Sequence, residues 1–204
     1  MRSPAARLRR IEREAADCRR CALYRRTTQT VFGEGAGGDL MLVGEQPGDA
    51  EDKAGRPFVG PAGRLLRELL GEAGIPDDAV YVTNTVKHFK WRPSGSGKRR
   101  IHDKPTWAEI QACSHWLNLE LAAVQPKLVL CLGATAAKAL LGRSARIGAL
   151  RGKLLQLEDG TPALVTLHPS AVLRAQGERA ARRAELRADL DLAQATLERL
   201  YAHT

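Results

Sequence analysis

Three short apolar runs constrain this chain more than any other feature: Leu40-Met-Leu-Val43, Val80-Tyr-Val-Thr-Asn-Thr-Val86 and Leu128-Val-Leu-Cys-Leu132. Each is short for a helix, and the first and third are closed by glycines, Gly44 and Gly133. A continuous apolar run must be covered on both faces, which suits a strand buried inside a parallel sheet. The segments between them have helical spacing. Residues 4–16 place Leu8, Ile11 and Ala15 on one face, and 63–74 carry Leu65, Leu66, Leu69, Leu70 and Ala73. A C-terminal helix from about Glu178 to Tyr201 carries Leu186, Leu190, Ala193, Leu197 and Leu200. Thr106 with Glu109 three residues on predicts a capping box opening a helix to about Val124. Gly133-Ala-Thr begins another helix, and strands are expected near 153–157 and 163–167. The Gly/Pro-rich stretch 45–61 and the polar, basic stretch 87–105 read as loops. This alternation implies an α/β sandwich around a largely parallel sheet. With no internal repeat, the 204 residues are expected to form a single domain.

That topology places a site before any chemistry is considered. Glu45, Asn84, Gly133 and His168 each fall at or just beyond the C-terminal end of an expected strand, the edge where open α/β sheets bind ligands. Residues 44–49 match neither Gly-x-Gly-x-x-Gly nor a P-loop, which argues against a nucleotide-binding enzyme. The formal net charge of +9 suits a polyanionic partner, because bound Lys and Arg release the counterions condensed on phosphates. No apolar run is long enough to span a bilayer, and no apolar stretch follows the basic N-terminal residues as in a secretory signal. The expected location is the cytoplasm, without a membrane partner. In that compartment, the pair Cys18-x-x-Cys21 with a distant Cys113 points to a metal or an iron–sulfur cluster rather than to disulfides. Cys131 lies inside an apolar strand and reads as an inert core thiol.

The stretch Gly44-Glu-Gln-Pro-Gly-Asp-Ala-Glu-Asp-Lys-Ala-Gly-Arg-Pro-Phe-Val-Gly-Pro-Ala-Gly63 resembles the family 4 uracil-DNA glycosylases. The likeness continues through Tyr81-Val-Thr-Asn-Thr-Val-Lys87, Leu132-Gly-Ala-Thr-Ala-Ala137 and His168-Pro-Ser-Ala-Val-Leu-Arg174, covering roughly residues 15–175. There are two departures. His88 stands where the family pattern has a cysteine after the lysine, and a basic loop, Gly97-Lys-Arg-Arg-Ile-His102, is inserted. Both features resemble the UdgX branch, which forms a covalent adduct with uracil-containing DNA.

The resemblance implies a three-layer α/β/α sandwich with a central, largely parallel four-stranded sheet. It implies excision of uracil from DNA, after which the protein stays bonded to the abasic site through His102. The expected partner is uracil-containing DNA, single-stranded by preference, and the protein is expected to be a monomer. Cys18, Cys21, His88 and Cys113 would hold a [4Fe–4S] cluster, an imidazole replacing one thiolate. A flipped base needs a stacking face, a reader and a donor at its developing negative charge. Phe58, Asn84 and His168 fill those roles by resemblance, and Glu45, Gln46 and Asp49 lie in the motif that binds uracil and activates water. Lys98, Arg99, Arg100, Ser170 and Arg174 are the expected DNA contacts. The bland readings are that Phe58 is core packing, that His88 contacts phosphate, and that Arg174 to Arg187 is a solvated helix face with some attraction for DNA. His115 and His203 are read as bystanders. The rival functions are a multiple-turnover family 4-type glycosylase, with His102 only touching phosphate, and a non-catalytic iron–sulfur DNA-binding sensor.

Overall fold

The structure is a computed structural model that describes residues 3–35, 38–97 and 99–202. In chain order the elements are α1 (Pro4–Ala16), β1 (Leu40–Gly44), α2 (Asp49–Ala54), α3 (Pro61–Glu72), β2 (Val80–Asn84), β3 (Trp91–Pro93), β4 (Arg100–His102) and α4 (Trp107–Val124). They continue with β5 (Leu128–Leu132), α5 (Ala134–Leu141), α6 (Ile147–Leu150), β6 (Leu155–Gln156), β7 (Pro162–Thr166), α7 (Pro169–Arg174) and α8 (Arg179–Ala202). The main sheet runs in the order β2-β1-β5-β7-β6; its first four strands are parallel, and β6 pairs antiparallel with β7.

Because side chains alternate along a strand, each inner strand feeds two cores. Leu42, Leu130 and Leu164 pack on one face against Leu66 and Leu69 of α3 and Leu186 and Leu190 of α8. Met41, Val43, Val129, Cys131 and Val165 pack on the other against Leu117 of α4 and Ala136 and Ala137 of α5. These are the expected layers. The sheet, however, has five strands and not four, because the two-residue β6 adds an edge strand. No helix among the described residues is long and apolar enough to cross a membrane.

The capping box at Thr106 forms as read, with the Thr106 hydroxyl accepting from the Glu109 N–H and the Glu109 carboxylate accepting from the Thr106 N–H. Two expected loops hold structure instead. Within 45–61, α2 has Asp49, Glu51 and Asp52 in its first turn, where carboxylates complement the helix dipole. Glu51 reaches back to the Gly48 N–H (3.0 Å) and also accepts from Gly60 N–H (2.6 Å), tying both ends of the motif together. Within 87–105, β3 and β4 form an antiparallel hairpin that pairs Trp91 with His102. Strands of three residues are too short to show an alternation, so only tertiary contacts reveal them.

Candidate active site

The C-terminal end of the sheet collects the expected residues. Glu45 directly follows β1, Asn84 ends β2, and His168 lies two residues beyond β7. The Thr85 N–H and hydroxyl both donate to the Gly44 carbonyl, at 2.9 and 2.8 Å, so the ends of β1 and β2 stay locked past the last sheet pair. Gly44 admits no side chain: a Cβ there would sit 2.4 Å from Asn84 Oδ1 and 2.7 Å from Phe58 Cζ. That close approach brings the amide and the ring together over the bare Cα. Phe58 itself has φ 54°, a left-handed backbone that disfavours bulky residues. Its ring stacks on the imidazole of His168 at a centroid distance of 6.1 Å and an angle of 29°. Asn84 is buried, and its Oδ1 has no hydrogen-bond partner among the described residues. A buried acceptor left unpaired costs about 1–3 kcal/mol, so it marks a place where a donor is missing.

His168 has its tautomer fixed by its neighbours. The backbone N–H of Ser170 donates to Nδ1 at 3.1 Å, and the Ser170 hydroxyl lies 2.8 Å from the same nitrogen. A backbone N–H can only donate, so Nδ1 is the acceptor and the neutral ring carries its proton on Nε2. Burial pushes the His168 pKa down to about 4, which keeps the ring neutral at physiological pH. Gly133, at φ 94°, lies against His168: a Cβ there would come 3.1 Å from the histidine Cβ.

Beneath Asn84 is a fully buried ion pair, Lys87 Nζ to Glu120 Oε2 at 2.5 Å. Lys87 Nζ also donates to Thr83 Oγ1 (2.6 Å) and to the Asn84 carbonyl (2.7 Å). Glu120 Oε1 accepts from Tyr81 Oη–H (3.0 Å), the Thr83 hydroxyl (2.9 Å) and Gly33 N–H (3.0 Å). Every polar group of the pair thus has a partner, which is the condition for holding charge in an apolar interior. The backbone of Asn84 is anchored from below by this network.

The other wall of the site is the β3–β4 hairpin, which presents His102. Three tethers hold it. The Gln46 amide donates to the carbonyls of Lys90 and Asp103, both at 3.0 Å, and its oxygen accepts from Lys90 N–H at 3.2 Å. Arg100 binds Asp49 (2.5 Å) and the buried Asp52 (2.6 Å) on α2. Trp91 Nε1–H donates to the Arg26 carbonyl at 2.8 Å. With those contacts in place, His102 Nε2 lies 3.3 Å from Glu45 Oε1. The hydroxyl of Thr135, in the first turn of α5, donates to the second oxygen of Glu45. Burial pushes the Glu45 carboxyl up, but hydrogen bonds from His102 and Thr135 outweigh it and hold the group below the ordinary range.

Several expected roles sit differently in the structure. The side-chain amide of Gln46 is engaged with the hairpin backbone at Lys90 and Asp103. Asp49 is engaged by Lys53 (2.6 Å) and Arg100 (2.5 Å). Arg100 pairs with the carboxylates of Asp49 and Asp52, and Ser170 bonds to His168. Arg99 and Arg174 are exposed, and Lys98 and His203 lie outside the described residues. Thr135 was missed, although its motif was noticed, because nothing in its sequence surroundings indicates the contact with Glu45.

The cysteines fall into two environments. Cys131 is fully buried in β5, and burial pushes its thiol up to about 12, as expected for a core thiol. Cys18, Cys21 and Cys113 lie close enough for their charges to act on one another, and burial pushes Cys113 up to about 11. Trp116 Nε1–H donates to Cys18 Sγ (3.0 Å) and Lys87 N–H to Cys113 Sγ (3.2 Å). His88 is buried with Nε2 at 3.1 Å from Thr30 Oγ1, while Nδ1 has no partner among the described residues. No group of three or more His, Cys, Asp or Glu side chains among the described residues converges as it would around a single metal ion.

Comparison with known proteins fits this arrangement. Residues 32–191 match the family model described as the uracil DNA glycosylase superfamily. The chain is 38% identical over 166 residues to the Type-4 uracil-DNA glycosylase of Thermotoga maritima, covering 80% of this chain and 82% of that protein. It is 36% identical over 175 residues to the Type-4 uracil-DNA glycosylase of Pyrobaculum aerophilum, covering 82% and 85%. A Type-5 uracil-DNA glycosylase of Thermus thermophilus shares 32% identity over 117 residues, about half of each chain (50% and 49%). A matched region that contains Glu45, Asn84, His102, Thr135 and His168 together, with the sheet that positions them, places this chain in the uracil-DNA glycosylase superfamily.

Proposed function

We propose that the protein excises uracil from DNA and then remains covalently bonded to the abasic site through His102, the behaviour of the UdgX branch. The observation that carries this reading is the His102–Glu45–Thr135 chain at the same sheet end as Asn84, whose buried Oδ1 has no donor among the described residues. A uracil turned toward that sheet end stacks on Phe58 and gives its N3–H to Asn84 Oδ1, supplying that donor. The His168 Nε2–H faces the O2 where negative charge gathers as the base departs. A neutral donor suits this task, because it stabilises the anion without being consumed.

The C1′–N1 bond breaks and its electron pair leaves with uracil, making the sugar oxocarbenium-like. Glu45 holds the proton on the His102 nitrogen that faces it, which leaves the lone pair of the opposite ring nitrogen free to form a bond to C1′. The imidazole proton then passes to the carboxylate and finally to the uracil anion, so the products are free uracil and an imidazole–sugar bond. That bond has no easy hydrolytic exit, and the protein makes one turnover.

Cys18, Cys21, His88 and Cys113 are the residues that would hold a [4Fe–4S] cluster. Two N–H···S contacts and an orphaned buried imidazole nitrogen are what such a ligand set leaves behind. The cluster would supply a cross-link between the end of α1, the segment after β2 and α4.

The test incubates equimolar protein with a uracil-containing single-stranded oligonucleotide and resolves the mixture on a denaturing gel. The expected result is a heat- and detergent-stable shifted band that requires uracil and disappears in His102→Ala, with uracil still released. Abasic product beyond one equivalent without a shifted band would instead establish a multiple-turnover enzyme.

A further inference from the structure

The geometry points to an exposed arginine–aromatic strip, running from the outer side of the His102 hairpin to the turn after Cys21, as a track for single-stranded DNA flanking the reacting nucleotide. This inference rests on DNA being the substrate and adds a surface that the site residues do not include. His102 and Trp91 are directly paired across the hairpin, so their side chains emerge on the same face of the ribbon. Trp91 lies beneath Arg26, whose guanidinium carbon is 4.6 Å from the indole ring, and its Nε1–H donates to the Arg26 carbonyl. Arg26 closes the short 3-10 turn Ala22–Arg25. On that turn Tyr24 sits between Arg19 (5.8 Å) and Arg25 (5.6 Å).

The charge state of the strip is what singles it out. Arg19, Arg25 and Arg26 are exposed and have no carboxylate partner among the described residues. The arginines of α8 are the opposite case. Arg182 pairs with Glu178 (3.4 Å) and Glu185 (3.1 Å), Arg183 with Glu68 (2.6 Å) and Glu72 (2.5 Å), and Arg187 with Asp191. Arg26 stacks by the face of its guanidinium, which leaves its N–H edge directed outward where a phosphate can take it; Arg25 gives its Nε–H to the Tyr24 hydroxyl (3.3 Å) but carries no carboxylate partner among the described residues. Partly exposed rings beside unneutralised guanidinium groups are the combination that binds unstacked strands, the rings receiving base faces and the cations the backbone. A duplex keeps its bases stacked on each other and cannot use the rings.

The test uses the full-length protein and a fluorescein-labelled oligothymidylate without uracil, with affinity read by anisotropy across a salt series. Neutralising two contacts in Arg25→Gln/Arg26→Gln should lower the slope of log affinity against log salt by about 1.4, since each phosphate contact on a single strand contributes roughly 0.7. Removing two charges from α8 with Arg182→Gln/Arg183→Gln should leave the slope as it is. Tyr24→Ala should weaken binding about fivefold or more at unchanged slope, because it removes a stacking face and no charge. Equal slopes in the wild type and Arg25→Gln/Arg26→Gln, or an equal loss from the α8 pair, overturn the inference. If Tyr24→Ala binds like the wild type, or a duplex of the same length competes equally, the strip is not a single-strand track. Uracil release by the wild-type protein is scored separately, so failure of the proposed chemistry is distinguishable from failure of this surface.

Discussion

The two walls of the site are built by opposite means. The sheet-end wall, bearing Asn84 and His168, is a by-product of the core: its strand ends are locked, its amide is buried, and a fully buried Lys87–Glu120 pair anchors the backbone from below. The hairpin wall, bearing His102, has no apolar core of its own. It hangs on polar tethers from Gln46, Asp49, Asp52 and Arg26. Asn84 and His168, proposed to read the base, thus sit where distortion is energetically prohibitive, and His102, the proposed nucleophile, where small substitutions can move it. One wall should therefore fail through loss of folding, the other chiefly through loss of chemistry, with a smaller stability loss where the buried Asp52 keeps its bonds from Thr28.

Breaking the sheet-end wall should have the largest effect. Lys87→Met strands the Glu120 carboxylate in an apolar interior and should destabilise the protein by about 3–5 kcal/mol in urea unfolding. Lys87→Met/Glu120→Leu, which removes both charges, should lose distinctly less; equal losses would show that packing and not charge is at stake. The next largest effect is on pH dependence. His168 falls from an ordinary 6.5 to about 4 on folding. Between those values the unfolded chain holds a proton that the folded chain does not, so stability rises with pH and is lost on acidification from about 6.5 towards 4. Relative to His168→Gln, the wild type should lose on the order of 3 kcal/mol over that window, read as Tm against pH. Parallel curves would mean the imidazole is not desolvated.

The hairpin wall should respond in rate. Arg100→Gln frees the hairpin from α2 and should slow adduct formation about tenfold to a hundredfold while uracil release stays unchanged, as a nucleophile misplaced by an ångström predicts. Equal slowing of both steps would show that the hairpin also serves base excision. The smallest effect belongs to Thr135→Val, which removes one hydrogen bond from Glu45. The loss of about 1 kcal/mol corresponds to roughly fivefold in adduct rate, with Thr135→Ser restoring it.

The same division governs what could be read from the sequence. The sheet-end wall was legible because buried strands have a one-dimensional signature: the runs Leu40–Val43, Val80–Val86 and Leu128–Leu132 gave both the strands and the edge where ligands bind, although β2 itself ends at Asn84. The capping box at Thr106 was legible for the same reason, being a local pattern. The hairpin and α2 were read as loops because their stability lies in contacts such as Gln46 to Lys90 or Arg100 to Asp52, between residues 44 and 48 positions apart. His102 was found by resemblance and not by pattern. Gln46, Asp49 and Arg100 were assigned to base, water and phosphate because their residue types suit those partners equally well, and only the fold shows what they touch. The edge strand β6 was expected as a strand near 153–157, but the four-stranded sheet implied by the resemblance left it out of the count.

The strand order has a consequence for how the protein is made. β5 lies between β1 and β7, and β7 pairs only after residue 162 has been synthesised, with His168 following it. Parallel pairings of this range form late, since the long loops between partners must close first. A chain still emerging from the ribosome already contains Glu45 and His102 before it contains His168. The sheet end therefore stays incomplete in any copy shorter than residue 168, and this follows from strand order alone.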